Sequence, residues 1–150
     1  MSHYSNKKND QTILSSILIG IWTIIAGIFR LIFKGFGRKR GLSVSVRNHI
    51  TTKKDEILTM SASENIHELR QSVLEADKLV NYALENSGYS GETLAERLKN
   101  ARGDIRTNIY EGIWRGHKVR NMLAHEANSR IKDQELRDAV NKLLRYLNSI

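Results

Sequence analysis

Residues 63–91 read SENIHELRQSVLEADKLVNYALENSGYSG, and the fold turns on how this stretch is taken. Ile66, Leu69, Val73, Ala76, Val80 and Ala83 recur at spacings of three and four, with Leu84 beside them. That is the period of an amphipathic helix and not of a strand. Ser63 is placed to cap the start, and Asn86-Ser87-Gly88-Tyr89-Ser90-Gly91 supplies a two-glycine stop. Downstream the same period returns. Leu94, Leu98 and Ala101 mark a short helix ended by Gly103-Asp104. Ile109, Ile113, Gly116, Val119 and Leu123 line a third helix, from about Arg106 to Ala127. Leu136, Val140, Leu143, Leu144 and Leu147 line a fourth that starts near Asp133. Four such helices within about 90 residues predict an all-α protein whose residues 62–150 form an antiparallel bundle.

Composition agrees and narrows the chemistry. The chain has 150 residues, no cysteine and no proline. Without cysteine there is no disulfide scaffold, no thiolate metal site and no thiol nucleophile. The net charge is +8, a value that taken whole suggests nucleic acid or anionic lipid as a partner. Its distribution says otherwise for most of the chain. Residues 1–40 hold seven basic groups and one acid, whereas residues 41–150 hold 17 and 15. The bundle itself is close to neutral.

The basic quarter surrounds an apolar run. After a polar tail (1–12), residues 13–33 are uncharged except for Arg30 near the far end. Twenty-one helical residues span about 31 Å, the thickness of a bilayer's hydrocarbon layer. This predicts a single N-terminal transmembrane helix, retained and not cleaved. Lys7 and Lys8 precede it, while Arg30, Lys34, Arg38, Lys39 and Arg40 follow, so the C-terminal domain is expected on the cytoplasmic side of an inner or cytoplasmic membrane. Ser16, Gly20, Thr23 and Gly27 place small side chains along one face of the span, a pattern that permits close helix pairing. Residues 34–61 read as a basic neck, partly helical around Thr52–Thr59.

The third bundle helix carries the unusual residues. His117, Asn121 and His125 fall within about 40° of Asn121's line on a helical wheel, and Arg120 flanks them. Two histidines about 12 Å apart with an amide between them make a poor zinc site. No metal or other cofactor is expected. Phosphodiester chemistry on RNA suits the set better. A neutral imidazole takes a proton from a 2′-hydroxyl, and a guanidinium holds the phosphate as charge builds. Asn121 is suited to orient either group. Glu75 and Asp77 on the first bundle helix are auxiliary candidates, either reaching the motif helix or sitting as solvated acids in pairs such as Glu75 with Lys78. Tyr82, Tyr110, Trp114 and Tyr146 are suited to stack bases, or else to fill the core.

The run Arg120-Asn121-Met122-Leu123-Ala124-His125 resembles the arginine–polar–histidine signature of HEPN (higher eukaryotes and prokaryotes nucleotide-binding) domains. The longer run His117–His125, Trp114 before it, the segment Leu74–Lys78 and the loop Gly88–Leu94 are similar to small bacterial HEPN-like proteins, over residues 62–150. The resemblance implies a four- to five-helix bundle that dimerises, with the motif helices of two subunits facing one cleft. It implies metal-independent RNA cleavage with Arg120 and His125 as the catalytic pair, Asn121 as the supporting polar residue and His117 as an auxiliary. It also implies a toxin–antitoxin or antiphage setting, with a nucleotidyltransferase-type antitoxin as partner. Some HEPN domains have lost catalysis, so the alternative expectation is an inactive, membrane-tethered interaction or scaffold module.

Overall fold

A computed structural model describes residues 41–125 and 131–150. The expected tail and span (residues 1–33), the basic residues that set their orientation and the small-residue stripe Ser16–Gly27 lie outside the described residues. Among the described residues, no helix is long and apolar enough to cross a membrane.

The described chain is all-helical: α1 (Val44–Ala62), α2 (Ile66–Asn86), α3 (Leu94–Asn100), α4 (Thr107–His125) and α5 (Asp133–Leu147). The amphipathic stripe of α2 is its buried face. Leu69, Val73, Ala76, Val80, Ala83 and Leu84 are all within 1% of complete burial. Opposite them lie Ile109, Ile113 and Val119 of α4 and Leu136, Val140, Leu143, Leu144 and Leu147 of α5, forming one core.

Of the segment read as a neck (34–61), the described part from residue 41 is mostly helix. In α1 only Ile50 and Ile57 are buried, two turns apart, and both join the main core. A helix that inserts two side chains in about five turns carries little periodic signal, so tertiary contact and not local pattern fixes it. Ser63 also has a different role from the expected one. It ends α1, and its hydroxyl accepts from the Asn65 backbone N–H. The cap of α2 is Asn65, whose side chain accepts from the His67 N–H at 2.9 Å. Two helices abut with three residues between them, so α1 and α2 run antiparallel.

Two features fix the remaining helices. Thr93 and Glu96 form a reciprocal capping box at the start of α3, and the backbone N–H groups of Glu92 and Thr93 hold the Glu96 carboxyl below its ordinary range. Gly91 (φ +141°) precedes it, and any side chain there would meet Glu96 Cβ at 2.8 Å and the Arg97 nitrogen at 2.9 Å. Between α4 and α5, Gly116 lets the helices approach until an added Cβ would lie 2.5 Å from Leu143 Cγ and 3.0 Å from the Ala139 carbonyl. Gly112, one turn earlier, faces Lys142 at a relaxed 3.7 Å. Arg106 and Ile109, at the start of α4, line one hollow with Tyr146 and Ser149, at the end of α5, so this pair is antiparallel too.

Candidate functional site

The motif helix α4 turns two faces to different surroundings. Ile109, Ile113, Gly116 and Val119 enter the core. Trp114, His117, Lys118, Asn121, Met122 and His125 line an open groove of about 370 Å³. His117, Asn121 and His125 therefore share one concavity, and Arg120 stands next to Asn121 without lining it.

Asp77 holds this arrangement in place. It lies on the same row of α2 as Val73 and Val80, four and three residues away, so its carboxylate is carried into the protein and is only 5% exposed. A buried carboxylate needs partners. One oxygen is 2.8 Å from His117 Nδ1. The other lies 3.6 Å from Arg120 Nε, an ion pair too long to count as a hydrogen bond. Arg120 then donates from Nη1 to Asn121 Oδ1 at 3.1 Å. Four residues from two helices thus form one chain of contacts: His117, Asp77, Arg120, Asn121.

Glu75 lies two residues before Asp77 and is rotated 200° from it on the helix. It lies in a hollow on the α1 side, accepts from Lys78 Nζ at 2.8 Å and from Gln71 Nε2 at 2.7 Å, and among the described residues makes no hydrogen bond or ion pair to α4. The two acids therefore separate: Asp77 belongs to the α4 cluster, and Glu75 forms a local surface pair. His125 is exposed at the rim of the groove. Among the described residues, no side chain hydrogen-bonds to it.

The aromatic residues also divide. Tyr146 is 3% exposed and part of the core. Tyr82 packs against His49 across α1 and α2, with ring centroids 4.9 Å apart. Tyr110, Trp114 and His117 form a ladder of edge-on contacts at 6.3 and 6.1 Å, which ends at the groove. Lys118 and Met122 are groove residues that the motif did not single out. Their signal was present, since both continue the i, i+4 row that starts at Trp114.

Further hollows lie among the described residues. One of about 150 Å³ lies between α1 and α2 and is lined by His49, Lys53, Glu75, Lys78 and Tyr82, among others. Another of about 320 Å³ lies at the end of the bundle beside Tyr89, Asp104, Arg106 and Tyr146. There burial pushes the Tyr146 phenol up to about 12. Burial, with Asp104 beside it, raises Tyr89 as well. Among the described residues, no three His, Asp or Glu side chains converge as metal ligands.

Comparison with known proteins identifies no relative: no family model matches the chain, and no curated protein or solved structure is significantly similar to it.

Proposed function

We propose that this chain is a membrane-anchored, HEPN-like endoribonuclease that works as a dimer and without metal, of the toxin or antiphage-defence kind. Residues 13–33 would anchor it in the cytoplasmic membrane with the bundle on the cytoplasmic side, and a nucleotidyltransferase-type antitoxin is the partner the resemblance suggests. The observation that carries the reading is the shared groove. Arg120 is tethered at Nε and Nη1, which orients its guanidinium for a phosphate instead of leaving it to solvent. His117, Asn121 and His125 line the adjoining concavity.

In this reading RNA is the substrate because its 2′-hydroxyl is the nucleophile. Arg120 binds the phosphate and gains strength as negative charge accumulates on it. His125 transfers a proton, Asn121 positions Arg120, and the exposed edge of Trp114 offers a surface for a base. The test is cleavage of a single-stranded RNA by the purified full chain in EDTA. His125→Ala and Arg120→Ala are each expected to reduce the rate by about 10²-fold or more while leaving the circular dichroism spectrum unchanged. An intact RNA with wild-type protein, or equal cutting by the variants, defeats the proposal.

One observation favours the alternative, an inactive membrane-tethered interaction or scaffold module. The domain is nearly neutral, and Asp77 already balances Arg120. Under that reading the same substitutions would alter assembly and leave no cleavage to lose.

A further inference from the structure

We propose that His117, held by Asp77, is the general base of the site, which leaves His125 to act as general acid. This rests on the ribonuclease reading above and assigns roles within it.

The geometry distinguishes the two histidines sharply. His117 is 14% exposed and its Nδ1 sits 2.8 Å from a carboxylate oxygen that is itself buried. A carboxylate only accepts, so Nδ1 carries the hydrogen, and the lone pair of the neutral ring is on Nε2. The carboxylate also stabilises the imidazolium that forms once Nε2 has taken a proton. His125 has neither constraint. Its ring is exposed, and among the described residues nothing fixes its tautomer. The tethered imidazole is therefore the pre-organised proton acceptor.

The second carboxylate oxygen couples this base to the phosphate anchor. Asp77 touches His117 with one oxygen and Arg120 with the other, so a single buried group sets the spacing of base and guanidinium. Arg120 in turn holds Asn121. Two turns separate the histidines, about 12 Å along the axis. A scissile phosphate seated over Asn121 lies about one turn from each.

The step balances as follows. Nε2 of His117 takes the proton of the ribose 2′-hydroxyl, and the 2′ oxygen forms a bond to the adjacent phosphorus. The bond from phosphorus to the 5′ oxygen breaks, and that oxygen leaves with a proton from the His125 imidazolium. The products are a 2′,3′-cyclic phosphate and a 5′-hydroxyl. Water returns the proton from His117 to His125 between turnovers.

The test uses two substrates for the full chain: a ribo-oligonucleotide, and a ribonucleoside 3′-(4-nitrophenyl phosphate), whose leaving group departs without protonation. His117→Ala is expected to lose about 10²-fold or more on both substrates, because both need the 2′-hydroxyl deprotonated. His125→Ala is expected to lose comparably on the oligonucleotide and to recover to within about tenfold of wild type on the aryl ester. Asp77→Asn keeps the size of the side chain, and it carries the comparison should His117→Ala fail to fold. It is expected to lose at least tenfold on both substrates, with the His117 ¹⁵N resonances reporting a changed tautomer.

If His117→Ala cuts the aryl ester at the wild-type rate, or if His125→Ala is inactive on it, the assignment is overturned while the ribonuclease reading stands. If the wild-type chain cuts neither substrate, the ribonuclease reading falls and takes this assignment with it.

Discussion

Two grooves of this bundle contain nearly the same parts. Between α1 and α2, His49 lies against Tyr82 with Glu75 and two lysines nearby. Along α4, His117 lies against Trp114 with Asp77 and Arg120. The acids come from the same helix, two residues apart. What separates the grooves is where the carboxylate sits. Glu75 is partly exposed and shares its charge with an exposed lysine. Asp77 is on the core-facing row, where the absence of water compels it to satisfy both oxygens with fixed groups. A histidine beside an aromatic ring is common furniture. A histidine bound to a buried acid has one tautomer and one orientation.

The largest expected difference between the grooves is in activity. On the proposed ribonuclease reading, His117→Ala should reduce RNA cleavage by about 10²- to 10⁴-fold, while His49→Ala leaves it within about twofold, measured as initial rates on one oligonucleotide. Comparable losses from both would show that the buried acid confers nothing. A smaller difference is expected in stability. Asp77→Ala removes a buried acceptor from His117 and should lower the unfolding free energy by about 1–3 kcal/mol in urea titrations. Glu75→Ala breaks only an exposed pair and should change it by less than about 0.5 kcal/mol. Equal effects would remove the distinction.

The smallest effect sharpens the role of burial alone. Tyr146 is buried without a charged partner, and its phenol is raised to about 12, above the ordinary value of 10.0. In the folded chain the proton is held more tightly than in the unfolded one. The resulting stability is present below pH 10 and is lost as the pH rises from 10 to 12. Tyr146→Phe should flatten that alkaline limb of melting temperature against pH. An unchanged limb would assign it to other groups, Tyr89 first.

The sequence carries these distinctions unevenly. The stripes of α2 and α5 are continuous, and the residues that define them are core residues in the structure, except Ile66, which is partly buried at the core's edge. In α4 the stripe and the polar row alternate cleanly, which places His117, Asn121 and His125 on one face before any packing is known. Asp77 was legible in a subtler way. It interrupts the apolar row of α2 at the position between Val73 and Val80, whereas Glu75 falls off that row. Which helix the row faces is a tertiary matter, so the sequence alone left the two acids equivalent. The α1 helix was least legible, since Ile50 and Ile57 are two side chains among polar neighbours. Their burial depends on α2 and α5 being present to receive them. Arg137 of α5 illustrates the dependence. It donates to the backbone oxygens of Ser61 and Ser63, closing the end of α1 from 74 residues away.

The close approach at Gly116 has a bearing on when the site comes into being. His117 follows that glycine directly, and the seat of α4 at this point is made by Ala139 and Leu143. Those residues are synthesised after the whole of the motif helix. A nascent chain that has already emerged through His125 thus has every groove residue and Asp77, yet lacks the surface against which α4 is positioned. The order of synthesis delays the assembly of the cluster until the α5 segment has been made. On the proposed ribonuclease reading, that delay would postpone activity until the message has been translated past the α5 codons.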